Sequence, residues 1–155
     1  KYNVAAGTVN PDTEDIGTSG SASLTIENTA NNVSLENITV ANTFDYPNET
    51  IEGKMAVAML TRADKLYLTS KTYRMAGYIA ADGGNRQYFR NCYIEGNVDD
   101  IGSAQAVFDD CDIVANGDGY VTAASTESTR LTGYVFINSR LLKKNSSVAD
   151  NRVAL

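Results

Sequence analysis

The sequence predicts an all-β chain folded as a solenoid of parallel strands, about six coils in a single domain spanning residues 1–155. Three observations carry this. Apolar residues alternate with polar ones in short runs rich in Val, Ile, Thr, Tyr and Phe. No window of a dozen residues carries a sustained helical stripe. A degenerate six-residue unit also recurs along the chain. An irregularly decorated β-sandwich is the alternative for the same patterning.

The opening segment, 1–22, is Gly-, Ser- and Thr-rich (Gly17-Thr18-Ser19-Gly20-Ser21) and reads as irregular. Strand patterning starts at Ser23-Leu24-Thr25-Ile26-Glu27 and continues in Val33-Ser34-Leu35 and Ile38-Thr39-Val40. The repeat unit then appears as Leu35–Val40, Leu68–Tyr73, Phe89–Ile94, Phe108–Ile113 and Phe136–Leu141, starting 33, 21, 19 and 28 residues apart. Spacing near one coil with variable excess means a conserved rung and outward loops of unequal length. The third residue of each unit is Asn37, Ser70, Asn91, Asp110 or Asn138. A tight corner favours such short polar side chains, which bond local backbone and tolerate left-handed φ. The polar stretch from Lys143 to Leu155 reads as a C-terminal tail. Neither end resembles a strong cap, so end coils would promote self-association.

Composition narrows the chemistry. The chain has 155 residues, is 43% hydrophobic, and carries a net charge of −6, which disfavours a nucleic-acid partner. It lacks a long apolar run, so no membrane span is expected. With no histidine, Ser-His-Asp and Cys-His catalysis and His-ligated zinc are excluded, and neither a cofactor nor a metal is expected. Cys92 and Cys111 occupy equivalent places in two repeats, so both a disulfide and two reduced core thiols fit. Asp99, Asp100, Asp109, Asp110 and Asp112 form one acidic region, read either as a calcium site or as solvated corners. Tyr67, Tyr73, Tyr78, Tyr88 and Tyr93 are either groove lining or outward strand residues. The sequons at Asn32, Asn37, Asn48 and Asn145 arise readily in an Asn- and Thr-rich chain, and Asn37 is better explained as a corner.

Three frames carry a resemblance: Ile51-Glu52-Gly53-Lys54 running to Leu60; Arg86-Gln87-Tyr88-Phe89-Arg90-Asn91-Cys92-Tyr93-Ile94-Glu95-Gly96-Asn97-Val98-Asp99; and Gly102-Ser103-Ala104-Gln105-Ala106-Val107-Phe108. Over about Tyr2 to Leu142 the chain resembles the pectin methylesterases. The likeness implies a right-handed single-stranded parallel β-helix and an extracellular, cell-wall setting. The first residues lack the apolar stretch of a secretory signal, so a recombinant cytoplasmic product is the alternative.

In that family two aspartates, two glutamines and an arginine act on methyl-esterified pectin. One aspartate attacks the ester carbonyl, the other protonates methanol, the glutamines hold the oxyanion and the arginine orients the nucleophile. Here the first glutamine's place is taken by Met55, which cannot donate a hydrogen bond. The segment that should bear the second glutamine and the acid falls on Ala76-Gly77-Tyr78-Ile79-Ala80, which has neither. Asp99 keeps the nucleophile's place, followed by Asp100 where the family has an aromatic residue. Arg152 falls on the family's arginine and Ala154 on its tryptophan.

The resemblance therefore implies residual catalytic positions at Asp99 and Arg152 and former groove positions at Tyr78, Asp100 and Met55. The expectation is a non-catalytic scaffold, engineered or naturally degenerate. A weak ester hydrolase using Asp99 and Arg152, or a module that binds pectin or polygalacturonate through Tyr, Arg86, Arg90 or Arg152, are the alternatives.

Overall fold

The computed structural model describes residues 17–44, 48, 50, 56–69, 75–76, 78–81, 85–96, 101–102, 105–117, 119–123, 126–146, 148 and 153–154, with the backbone path alone at 17–18, 75–76, 78–81, 101–102, 123 and 153–154. After one helical turn at Gly17–Gly20, the chain winds through five coils among these residues. The first holds β1 (Leu24–Ile26) and β2 (Ser34–Glu36), and the second β3 (Val57–Thr61), β4 (Leu66–Thr69) and β5 (Met75–Ala76). The third holds β6 (Tyr78–Ala81), β7 (Arg86–Arg90) and β8 (Tyr93–Gly96). The fourth holds β9 (Ile101–Gly102), β10 (Gln105–Asp109), β11 (Asp112–Ala115) and β12 (Gly119–Tyr120). The fifth holds β13 (Thr122–Ala123), β14 (Tyr134–Ile137), β15 (Arg140–Lys143) and β16 (Val153–Ala154).

Like strands of successive coils pair in parallel to make three faces. The first sheet runs β1-β3-β6-β9-β13, the second β2-β4-β7-β10-β14, and the third β5-β8-β11-β15. A two-stranded ribbon joins β12 to β16. This is a right-handed parallel β-helix.

The repeat read in the sequence sets the register. Leu35, Leu68, Phe89, Phe108 and Phe136 stand in one line up the second sheet. Ile94, Ile113 and Leu141 stand in line up the third. These rows fill the interior, where Leu68, Phe89, Phe108, Ile94 and Ile113 are at most 1% exposed. The rings of Phe89 and Phe108 stack 4.9 Å apart and those of Phe108 and Phe136 5.1 Å apart, both within 15° of parallel. Offset stacking of this kind adds to the area buried.

The corners between the second and third sheets are tight. Asn37, Asn91, Asp110 and Asn138 all adopt left-handed φ, between 50° and 54°. This conformation suits Asn and Asp better than other residues with a side chain. Their coils are tied together as well. Asn37 N donates to Thr69 O (3.1 Å), Asn91 N to Asp109 O (3.0 Å) and Asp110 N to Ile137 O (2.9 Å).

The corner between the first and second sheets is held differently. The Asn85 side-chain amide donates to Arg62 O of the coil before it. Asp64 accepts from the Arg86 backbone N (3.1 Å) and Nε (2.9 Å) and from Nη2.

The C-terminal segment is tied to the body. Lys144 Nζ pairs with Glu95 two coils earlier, Val148 is buried, and Val153–Ala154 forms β16 against β12.

Candidate functional site

Along the sequence, the residues singled out fall at or next to β3, β6 and β9 of the first sheet and, for Arg152, next to β16 of the two-stranded ribbon. Tyr78 opens β6 and pairs in register with Val57 of β3. Ile79 pairs with Met59 on one side and with Ile101 of β9 on the other, with a register irregularity between Val57 and Met59. Met55 lies two residues before Val57 in the sequence, and Asp99 and Asp100 immediately precede Ile101. Met55, Asp99, Asp100 and Arg152 themselves lie outside the described residues, and of Tyr78 the backbone alone is placed. Tyr73 and Ser70 also lie outside.

The three central strands read Val-Ala-Met-Leu-Thr, Tyr-Ile-Ala-Ala and Ile-Gly, so none contributes a carboxylate, amide or cationic side chain. Any carboxylate, amide or cationic group acting here must come from residues flanking these three strands, which themselves carry only the hydroxyls of Thr61 and Tyr78.

The start of β3 is fixed by a buried polar lock that sequence reading missed. Ser21 (0% exposed) accepts from Val57 N through its Oγ at 3.1 Å. Asn42 (1% exposed) donates from Nδ2 to both Ser21 O and Val57 O at 3.1 Å, while its Oδ1 accepts from Phe44 N at 3.2 Å. Buried polar groups persist when each is satisfied in this way. An asparagine among loop residues gives no advance sign of such a role.

Among the described tyrosines, Tyr67, Tyr88 and Tyr93 do not line one groove. Tyr67 and Tyr88 stack on the outer face of the second sheet, 5.6 Å apart and 8° from parallel. Tyr93 stands on the third sheet and donates to Glu95 Oε2 at 2.9 Å. The outward-strand alternative therefore holds for these three. Tyr88 donates to Asp109 Oδ2 at 2.6 Å, and this hydrogen bond holds the phenol above its ordinary value.

Within the acidic region, Asp109 is engaged by Tyr88 and Arg90, and Asp112 by Arg140 through two 2.6 Å hydrogen bonds. Asp110 occupies a corner. Among the described residues no group of three His, Cys, Asp or Glu side chains could hold a metal ion. An open depression of about 660 Å³ follows these corners, lined by Asn91, Asp110, Asn138, Tyr93, Asp112 and Arg140, with Cys92 at its floor.

Cys92 and Cys111 are buried free thiols on adjacent coils. Cys92 Sγ donates to Arg90 O at 3.3 Å, and Cys111 Sγ to Asp109 O at 3.4 Å. The Cys92 side chain beside Cys111 holds that thiol below its ordinary value, against the opposing effect of burial.

A further ionic cluster was not anticipated. Glu95 is 2% exposed on the outer side of the third sheet, where it accepts from Tyr93 and pairs with Lys144. Alternation along Tyr-Ile-Glu-Gly places Glu95 outward. Nothing in the sequence signals that Lys144, 49 residues on, pairs with it.

Fold and frame together define a parallel β-helix of the carbohydrate-esterase kind. The chain belongs to the pectinesterase family, whose model matches residues 3–154. It is 40% identical over 120 residues to probable pectinesterase A of Aspergillus flavus, covering 75% of this chain and 34% of that protein. It is 34% identical over 177 aligned residues to pectinesterase A of Dickeya chrysanthemi, covering 93% and 44%. Among solved structures, pectin methylesterase from Yersinia enterocolitica superposes with a TM-score of 0.86 at 38% identity, covering 99% of this chain and 53% of that one. A pectin methylesterase in complex with a hexasaccharide superposes with a TM-score of 0.85 at 31% identity, covering 97% and 50%. The chain thus spans between about a third and a half of the length of these relatives.

Proposed function

We propose that this chain is a non-catalytic pectinesterase-like β-helix scaffold, its ester-cleaving site dismantled by engineering or by natural loss. One observation carries the reading. Met55 and the Ala76–Ala80 segment stand where the resemblance places both oxyanion-holding glutamines and the acid, and they supply no amide donor or carboxyl. Removing one oxyanion donor costs about 10²–10³ in rate. Losing general-acid catalysis costs about 10²–10⁴. The two losses need not multiply, since residues of one site act as a unit. Together they leave Asp99 and Arg152 without the family's groups for stabilising a tetrahedral oxyanion and protonating the departing methanol.

The solved relative bound to a hexasaccharide favours a second reading, in which the chain retains affinity for pectin or polygalacturonate without cleaving it. An extracellular setting belongs to the same proposal. A weak ester hydrolase acting through Asp99 and Arg152 is the reading both must defeat.

Methanol release from highly methylated pectin, measured beside Asp99→Ala, tests the scaffold reading. The expected result is equal, background release from both proteins. Release that disappears with Asp99 overturns it in favour of the hydrolase. Co-sedimentation with insoluble pectin then separates a binding module, which is retained, from a bare scaffold, which is not.

A further inference from the structure

We propose that Asn116–Gly117 is a self-modifying site, where the chain deamidates through a succinimide with no enzyme and no reagent but water. Asn116 is the one asparagine followed by glycine in the 155-residue sequence. Asparagine is a thermolabile residue, and its side-chain carbonyl carbon can close a five-membered ring with the next backbone nitrogen. A glycine at that next position has no Cβ to crowd the closure.

The structure leaves both reacting groups available. β11 ends at Ala115, and Asn116 and Gly117 follow it outside any strand, both partly exposed to solvent. Asn116 is anchored through its own backbone N–H, which donates to Gly96 O at 2.6 Å. Among the described residues no hydrogen bond holds its side chain or occupies Gly117 N. Other asparagines are guarded where this one is not. The Asn42 amide is buried and donates to Ser21 O and Val57 O. The Asn85 amide donates to Arg62 O, and the nitrogen that would attack it, Arg86 N, donates to Asp64 Oδ1 at 3.1 Å.

The step balances without a co-reactant other than water. Gly117 N gives up its proton and attacks Cγ of Asn116. A Cγ–N bond forms, the Cγ–Nδ2 bond breaks, and Nδ2 leaves with that proton as ammonia. Water then opens the succinimide at either carbonyl. One opening gives aspartate. The other gives isoaspartate, whose main chain runs through the former side chain and is one carbon longer between β11 and β12. Either product adds one negative charge.

Peptide mapping of the full chain aged in mildly alkaline buffer, native and unfolded in guanidinium, beside Gly117→Ala, tests this. Among the described glycines only Gly119 has a positive φ, so alanine at 117 meets no left-handed penalty. The expected result is loss of the Asn116 amide in the native protein, giving both products, at a rate close to that of the unfolded chain. Gly117→Ala should slow the loss about tenfold or more, an added barrier of about 1.4 kcal/mol. A native protein that keeps Asn116 intact while the unfolded chain loses it overturns the proposal, because the fold then closes the site. Equal loss in Gly117→Ala overturns it as well.

Discussion

At the scale of single residues, the corners decide what can be substituted. Asn91 holds φ at 53° and its backbone N–H donates to Asp109 O of the next coil. Left-handed backbone costs most side chains about 1–2 kcal/mol relative to their preferred regions. Asn91→Ala should therefore destabilise the chain by about 1 kcal/mol, whereas Asn91→Gly should be near neutral, as read by chemical denaturation. If Ala and Gly cost the same, backbone strain is not what selects Asn there.

Asp64 is a different case, acting through charge across a corner. Its hydrogen bonds from the Arg86 side chain hold the carboxyl well below the ordinary carboxylate range. The stabilisation is complete above that ordinary range and is lost as pH falls toward the lowered value. Asp64→Asn should thus be less stable than the parent at pH 7, with the gap closing below about pH 4. Because the pair is exposed, the gap should also shrink in high salt. The corner asparagines were legible from the repeat, since their chemistry advertises left-handed φ. Lys65, with φ of 60°, was not, because lysine carries no such signal.

At the scale of elements, rows of side chains in register matter more than individual strands, many of which are only two to five residues long. The row was readable because five units share one apolar position, and the structure aligns all five. The middle of that row is where substitution hurts most. Phe108 is 0% exposed and stacked on both faces, while among the described residues Phe136 has a stacked neighbour on one side only. Phe108→Ala should cost about 3–5 kcal/mol, and Phe136→Ala distinctly less. Thermal unfolding of both variants measures the difference. Equal costs would mean that the end rung is as well covered as the interior.

The candidate site rests on the frame of the sequence rather than on described side chains. Its positions could be named from the frame, and the register of β3, β6 and β9 brings Val57, Tyr78 and Ile101 onto adjoining strands. Yet catalytic geometry depends on loops that leave the repeat, and repeat patterning is silent about loops. The Ser21–Asn42 lock at the head of β3 escaped for the same reason: its donors and acceptors are mostly backbone groups brought together across 36 residues of sequence.

At the scale of the whole molecule, the C-terminal segment and the third coil are joined by an ion pair between residues 49 apart in sequence. Glu95 is 2% exposed and Lys144 34%, so the carboxylate has given up its water while the ammonium keeps part of its own. Transfer of a carboxylate from water is costly unless a cation and hydrogen bonds replace the solvent, and here Lys144 and Tyr93 supply them. The pair is weak evidence for net stabilisation in itself, but removing only the cation exposes the full desolvation cost. Lys144→Met should destabilise by about 3 kcal/mol. Glu95→Gln in the same background should recover much of that loss, because a neutral amide needs no counter-charge. The double-mutant cycle read by denaturation reports the coupling directly. Additive effects would mean that the segment is held by the burial of Val148 and by the β12–β16 ribbon rather than by charge. Proteolysis distinguishes the same alternatives at the level of the fold. If the ion pair is the clasp, Lys144→Met should open the segment after Lys143 to cleavage while the strands up to β15 stay resistant.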